Sequence, residues 1–192
     1  MDGLMSVFSA FGLATAAGLN AYLPLLIVAL LARFTDLITL TSPWDTMESW
    51  WVIGVLAVLL VVEFLVDKVP AIDTLNDIVH TFIRPTAGAI LFAASAGVIV
   101  DTSPVLALIC GLLIAGGVHA AKATIRPVVT GTTGGVLNPM VSTLEDVISF
   151  VVTILAILVP ILALLLLVAL IVWFIRWWTR RRKQRASSDL RC

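Results

Sequence analysis

The stretch GLMSVFSAFGLATAAGLNAYLPLLIVALLA, residues 3–32, carries no charged side chain. A helix needs about 20 residues at ~1.5 Å each to cross the hydrocarbon core of a bilayer. This run is longer than one crossing requires, and its middle reads Gly18-Leu19-Asn20-Ala21-Tyr22-Leu23-Pro24. Glycine and proline loosen a helix, and an asparagine is costly in lipid unless it finds a partner. Two readings follow: a broken helix or re-entrant hairpin at Asn20, or one long tilted helix with a kink.

The rest of the chain has the same character. Of 192 residues, 60% are hydrophobic and 12% charged. A soluble domain has about a quarter of its residues charged and about half apolar. A soluble fold of this size has too little interior for so much apolar surface. The class is therefore an all-α, polytopic membrane protein, with one helical domain over residues 1–178 and a basic tail over 179–192. Residues 35–49 form an acidic loop, and Trp44, Trp50 and Trp51 suit a membrane interface. The apolar run 50–62 spans only if it continues through Glu63 and Asp67. Residues 72–84 read as an amphipathic helix. At 100° per residue, Asp73, Asp77, His80 and Arg84 share an arc of about 60°, opposite Ile72, Leu75, Val79 and Phe82. Residues 85–100, 102–121 and 147–175 are further spans, the last interrupted by Pro160. The count is about five crossings with a single first span. The hairpin places the acidic loop outside, and the tail then reaches the inside only if a later segment, such as the Pro160 break, also doubles back.

The net charge is zero, yet Arg176, Arg180, Arg181, Arg182, Lys183, Arg185 and Arg191 crowd the C-terminal end. Directly after a span, such a cluster faces the cytoplasm, and the location expected is the bacterial cytoplasmic (inner) membrane. The tail is too short to read as a nucleic-acid arm. The two cysteines, Cys110 and Cys192, set no disulfide or metal spacing, and the start of the chain lacks the basic region of a cleaved signal.

The chemistry lies in the intramembrane charges. Asp77-Ile-Val-His80-Thr-Phe-Ile83-Arg84-Pro85 recurs as His119-Ala-Ala-Lys122-Ala-Thr-Ile125-Arg126-Pro127 at an offset of 42 residues. Internal repeats of interrupted helices point to transporter sites, although matches this short also arise by chance. His119, Lys122 and Arg126 share one helical face. A charge at the bilayer centre costs about 2.5–3.5 kcal/mol on insertion scales, so these groups need partners or water. In the bland reading Glu63 or Asp77 pairs with Arg84, and Glu145 or Asp146 with Arg126 or Lys122, as staples between helices. In the functional reading, Arg84, Lys122, Arg126, His119 and Asn20 bind a substrate, while Glu63, Asp67, Asp73, Asp77 and His80 hold coupling protons or cations. Asp67, Asp73 and Asp77 could instead hold a magnesium ion against a lipid phosphate. His80 and His119 make a poor zinc pair, and the Gly-Thr-rich segment 130–135 could present N–H groups to an anion.

Three groups of residues carry a family resemblance. They are Gly18-Leu-Asn-Ala-Tyr-Leu-Pro24; Glu63, Asp67-Lys-Val-Pro70, Asp73, Asp77, His80-Thr and Arg84-Pro85; and Gly117-Val-His119, Lys122-Ala and Arg126-Pro127. Over roughly residues 5 to 170 the chain resembles a family of bacterial integral membrane proteins, domain of unknown function 4126. The resemblance implies a helical membrane domain with its polar positions gathered in a site, and it brings no substrate or reaction. The expectation is a small transporter or channel-like carrier of an anionic or amphiphilic substrate, such as a phosphate-bearing lipid, with proton or cation coupling. The alternatives are a membrane-embedded metal-dependent enzyme acting on a lipid phosphate and an assembly subunit whose charges only pair. The partners expected are membrane lipids and the substrate, with no nucleic acid and no cofactor; the metal and a homo-oligomer stay open.

Overall fold

The computed structural model describes residues 2–66, 70–95, 103–158, 166 and 168–176, and the side chains among them except at 2–4 and 70–78. The described residues are helical almost throughout, with no strand among them. Six helices are α1 (Asp2–Leu19), α2 (Tyr22–Phe34), α3 (Trp50–Val66), α4 (Pro70–Ser95), α5 (Pro104–Thr133) and α6 (Asn138–Leu158), with a 3-10 turn at Trp44–Glu48. Residues 168–176 are also helical.

The first apolar run breaks at Asn20, and the break is a hairpin. Asn20 Oδ1 accepts hydrogen bonds from the N–H groups of Tyr22 (3.1 Å) and Leu23 (2.9 Å), which start α2. These N–H groups have no partner inside a helix, and the asparagine side chain supplies one as an N-cap does. A small cavity of about 210 Å³ is lined by Ser6 and Ser9 from α1 and by Leu37 and Thr39 from the segment after α2. The end of α2 has therefore returned to the start of α1. Of the two counts the sequence allows, the hairpin describes the geometry.

Later helices alternate in direction. Ser95 and Ile157, at the ends of α4 and α6, line the same small cavity. Glu63 near the end of α3 meets Arg84 near the middle of α4. Leu170 and Phe174 line a second cavity beside Leu19, Lys122 and Glu145, at the opposite end of the bundle. Residues 168–176 thus lie at the opposite end of the bundle from the end of α6; the Pro160 break itself lies outside the described residues.

α1 is the central helix, packed on α4, α5 and α6, and α4–α5 is the most extensive helix pair. Small residues let these backbones meet. A Cβ at Gly111 would lie 2.3 Å from the Gly88 carbonyl oxygen, and one at Gly88 would lie 2.3 Å from the Ala115 Cβ. A Cβ at Gly18 of α1 would lie 2.7 Å from the Ala115 carbonyl oxygen. Ala10, Ala14, Ala16 and Ala17 complete a small-residue core around α1.

Pro85, the boundary read from sequence between the stretch 72–84 and the span 85–100, does not end a helix, and neither does Pro127. Pro85 lies inside α4 and Pro127 inside α5. The amphipathic stretch 72–84 is the first part of one helix that continues to Ser95. Neighbouring helices can satisfy the backbone groups that a proline frees within a membrane protein. Segment 130–135 likewise continues α5 to Thr133, then turns at Gly134 and Gly135, with φ of 62° and 84°. These left-handed angles suit glycine at a helix end. After it, the N–H groups of Val136 and Asn138 donate to the Thr133 and Gly135 carbonyls of the same turn.

Polarity is inverted relative to a soluble bundle. His80 and Arg84 of α4 are buried while Val79 and Phe82 are exposed. On α5, His119, Lys122 and Arg126 are buried while Leu113 and Val128 are exposed. α5 and α6 are long and apolar enough to cross a membrane, and α2, α3 and most of α1 are shorter apolar helices. A helical bundle with charges inside and apolar side chains outside is a membrane protein.

Candidate functional site

The buried charges gather at the end of the bundle where α1 finishes. Because α4 and α5 run antiparallel, Arg84 faces His119 while Gly88 faces Gly111 and Ala115. Of the stripes read from sequence, His80 and Arg84 on α4 and His119, Lys122 and Arg126 on α5 are buried at this end.

The first cluster centres on Glu63. Its Oε1 accepts from Arg84 Nη2 and lies beside His80 Nδ1, both at 3.1 Å. Arg84, fully buried, also donates through Nη1 to His119 Nδ1 at 3.2 Å. His119 Nε2 lies 3.1 Å from Thr81 Oγ1. The Tyr22 ring stands edge-on to His80 with centroids 5.7 Å apart. Glu63 Oε2 and Arg84 Nε are buried with no hydrogen-bond partner among the described residues.

The second cluster centres on Glu145. Its Oε2 lies 2.8 Å from Lys122 Nζ and 3.7 Å from Arg126 Nη2. Arg126 donates to Ser142 Oγ at 2.6 Å, and Lys122 reaches the Leu19 carbonyl oxygen at 3.4 Å. Asn20 donates through Nδ2 to Asp146 Oδ1 at 2.9 Å, so the residue that bends α1 into α2 also ties the hairpin to α6.

The clusters have parallel chemistry. In each, two basic or imidazole groups one helical turn apart, His80 with Arg84 and Lys122 with Arg126, close on one carboxylate oxygen from a neighbouring helix. These are the positions that the Ile-Arg-Pro repeat aligns. The carboxylate helix precedes the basic helix in the first case and follows it in the second. His119 and Arg126 are about 10 Å apart along α5. The clusters are thus neighbours, each with its own counter-ion.

Beside the second cluster lies a cavity of about 510 Å³. Its walls are apolar, with Val118, Ile125, Val141, Leu170 and Phe174 among them, and its polar groups are Lys122, Arg126 and Glu145.

Of the residues singled out from sequence, Arg84, His119, Lys122, Arg126, Asn20, Glu63 and His80 are buried at this end. Lys122 and Arg126 line the cavity; His119 turns instead to Arg84 and Thr81. Asp67 and the side chains of Asp73 and Asp77 lie outside the described residues. Among the described residues no group of three His, Cys, Asp or Glu could hold a metal.

A family model described as a domain of unknown function (DUF4126) matches residues 7–180. The chain belongs to the DUF4126 family. No curated protein and no solved structure matches it. The matched region takes in both clusters, the Asn20 bend and the apolar cavity.

Sequence reasoning passed over the buried polar stripe of α6. Ser142, Asp146, Ser149 and Thr153 are all buried, and at 100° per residue they share an arc of about 60°. Ser149 Oγ donates to the Ala16 carbonyl oxygen at 3.0 Å. The signal was present as four polar residues at helical spacing in an apolar run. Attention to full charges hid the hydroxyls.

Proposed function

We propose that the protein is a small membrane carrier for an amphiphile with an anionic head and an apolar tail. The observation that carries this reading is the cavity of about 510 Å³, lined mostly by apolar side chains with Lys122, Arg126 and Glu145 among them. An alkyl chain gains about 25 cal/mol for each Å² it removes from water, and the cavity wall receives it. The head meets an ammonium and a guanidinium that share the Glu145 carboxylate at less than 4 Å. A phosphate accepts paired hydrogen bonds from arginine better than from lysine. Arg126 lies 3.7 Å from Glu145 against 2.8 Å for Lys122, and its planar guanidinium suits a tetrahedral anionic head.

The charged end faces the cytoplasm in this reading, because residues 168–176 return the chain to that end just before the basic cluster 180–185. The acidic loop 35–49 then lies outside, and the site opens toward the inner leaflet of the cytoplasmic membrane. The chain crosses several times, with the α1–α2 hairpin as its first pair.

Binding of a phosphate-headed amphiphile with a fluorescent tail tests the reading, using purified protein in nanodiscs. Hydrogen bonds to charged groups are worth about 1.5–3 kcal/mol, so Arg126→Gln weakens binding by roughly 10- to 150-fold. Equal affinity of wild type and Arg126→Gln would remove the cavity from the account.

A second reading has its own observation. Each basic group in the two clusters that carries a permanent charge has a carboxylate within 4 Å, as helix staples in an assembly subunit would. It predicts loss of stability without loss of any bound molecule.

A further inference from the structure

We propose that the Glu63–His80–Arg84–His119 cluster is a proton-binding site and that His119 takes up a proton when an anion occupies the neighbouring cavity. The inference rests on the carrier reading of that cavity and adds its coupling ion.

Arginine has donors and no acceptor. The bond from Arg84 Nη1 to His119 Nδ1 at 3.2 Å therefore requires a bare lone pair on Nδ1. The single ring proton then sits on Nε2, facing Thr81 Oγ1 at 3.1 Å. The imidazole is neutral as found, and Arg84 holds it so. A second ring proton would point at a guanidinium N–H, so protonation of His119 and the Arg84 bond exclude each other.

The cluster has capacity for the rearrangement. Glu63 Oε2 is a buried acceptor and Arg84 Nε a buried donor, neither with a hydrogen-bond partner among the described residues. An arginine released by His119 keeps Glu63 at hand and gains an acceptor in Oε2. Both side chains are nearly or fully buried, at 2% and 0% exposure, where unmet hydrogen-bonding capacity is costly.

Charge links this cluster to the cavity. Arg84 from α4 meets His119 directly; behind it stand Glu63 from α3 and His80 from α4, with Tyr22 from α2 against His80, and on His119's own helix stands Lys122, paired with Glu145 from α6. Lys122 is one turn from His119, about 5–6 Å between Cβ atoms. A proton on His119 adds a positive charge beside Arg84 and Lys122, which opposes it in the empty protein. An anion at Lys122 and Arg126 removes that opposition. By linkage, the proton must favour the anion by the same factor. Anion and proton are then carried together, and the pair moves with less net charge than the anion alone.

The test uses an alkyl sulfonate with a fluorescent tail, because a sulfonate head does not titrate near neutral pH. With ¹⁵N-histidine-labelled protein in nanodiscs, the empty state is expected to show His119 protonated on Nε2 alone, its signal assigned by loss in His119→Gln. Binding heats in two buffers of different ionisation enthalpy are expected to show uptake of about one proton per sulfonate. Affinity then falls about tenfold for each pH unit of rise over the coupled range. Glutamine can accept from Arg84 and donate to Thr81 but cannot be protonated. His119→Gln should therefore bind with the weaker affinity of wild type at alkaline pH, with no proton uptake and a flat pH profile. An Nδ1–H tautomer in the empty protein, or proton uptake that survives in His119→Gln, would overturn the proposal. Sulfonate binding without proton uptake sinks this inference alone; failure of wild type to bind sulfonate at any pH sinks the carrier reading with it.

Discussion

Replacing Arg84 by glutamine examines how the buried charges are held. Arg84 is fully buried and donates to Glu63 Oε1 at 3.1 Å and to His119 at 3.2 Å. Glutamine keeps some hydrogen bonding but leaves Glu63 charged, 2% exposed, with His80 beside it. Removing one partner of a buried ion pair typically costs about 3–5 kcal/mol. At about 2–4 °C per kcal/mol for a chain of this size, Arg84→Gln is expected to lower the melting temperature in detergent by roughly 6–20 °C. Glu63→Gln alone should be costly for the mirror-image reason. The double variant removes both charges, and two amides can hydrogen-bond to each other, so it should recover about half of the loss or more. With each single loss at about 3–5 kcal/mol, that recovery corresponds to a coupling energy of about 4.5–7.5 kcal/mol, larger than either single loss and above the range of ordinary contacting residues. A loss below about 1 kcal/mol for Arg84→Gln, the range of an exposed pair, would refute the claim that this end of the bundle is dry and tightly paired.

Other expectations follow from packing and topology. Gly111→Leu should prevent recovery of folded protein, since even a Cβ there lies 2.3 Å from the Gly88 carbonyl oxygen. Gly117→Ala, with nothing within 4 Å of the new Cβ, should raise stability by about 0.5–1 kcal/mol through helix propensity, as a thermal melt would show. Asn20→Ala removes the acceptor for two N–H groups and a donor to Asp146. It should cost about 1–3 kcal/mol and increase hydrogen exchange at Tyr22 and Leu23, whereas unchanged exchange would show that another group starts α2. A membrane-impermeant maleimide should label Asp36→Cys in intact cells and spare Cys192, and the reverse pattern would invert the topology proposed above.

Much of this architecture was legible in the sequence. The uncharged run 3–32 with Asn20 at its centre announced a break, and the hairpin places that asparagine where two orphan N–H groups need it. Among the described side chains of the opposed arcs of 72–84, His80 and Arg84 are buried and Val79 and Phe82 exposed, as the helical period gave; Ile72, Asp73, Leu75 and Asp77 lie outside the described side chains. Glu63 with Arg84, and Glu145 with Lys122 and Arg126, were among the pairings that charge cost alone suggested. Helix ends were less legible. Pro85 and Pro127 look like stops by local rules, yet α4 and α5 run through them. The cavity was not legible at all. It depends on residues 170–174 returning beside α5, and no local pattern in a uniformly apolar run specifies where it folds back.

The central claim, that Lys122 and Arg126 are ligands for an anion and more than staples, is tested most directly by a double-mutant cycle read in transport. Wild type, Arg126→Gln, Glu145→Gln and the double variant are reconstituted in proteoliposomes. Transfer of a phosphate-headed amphiphile with a fluorescent tail is measured beside the melting temperature of each variant. The account predicts transfer by wild type and its loss in Arg126→Gln. It also predicts that the double variant regains no transfer, because the guanidinium that binds the head is still missing, while its stability stays low because Lys122 has lost the carboxylate 2.8 Å away. Recovery of transfer in the double variant would contradict it and leave Arg126 and Glu145 as a structural ion pair.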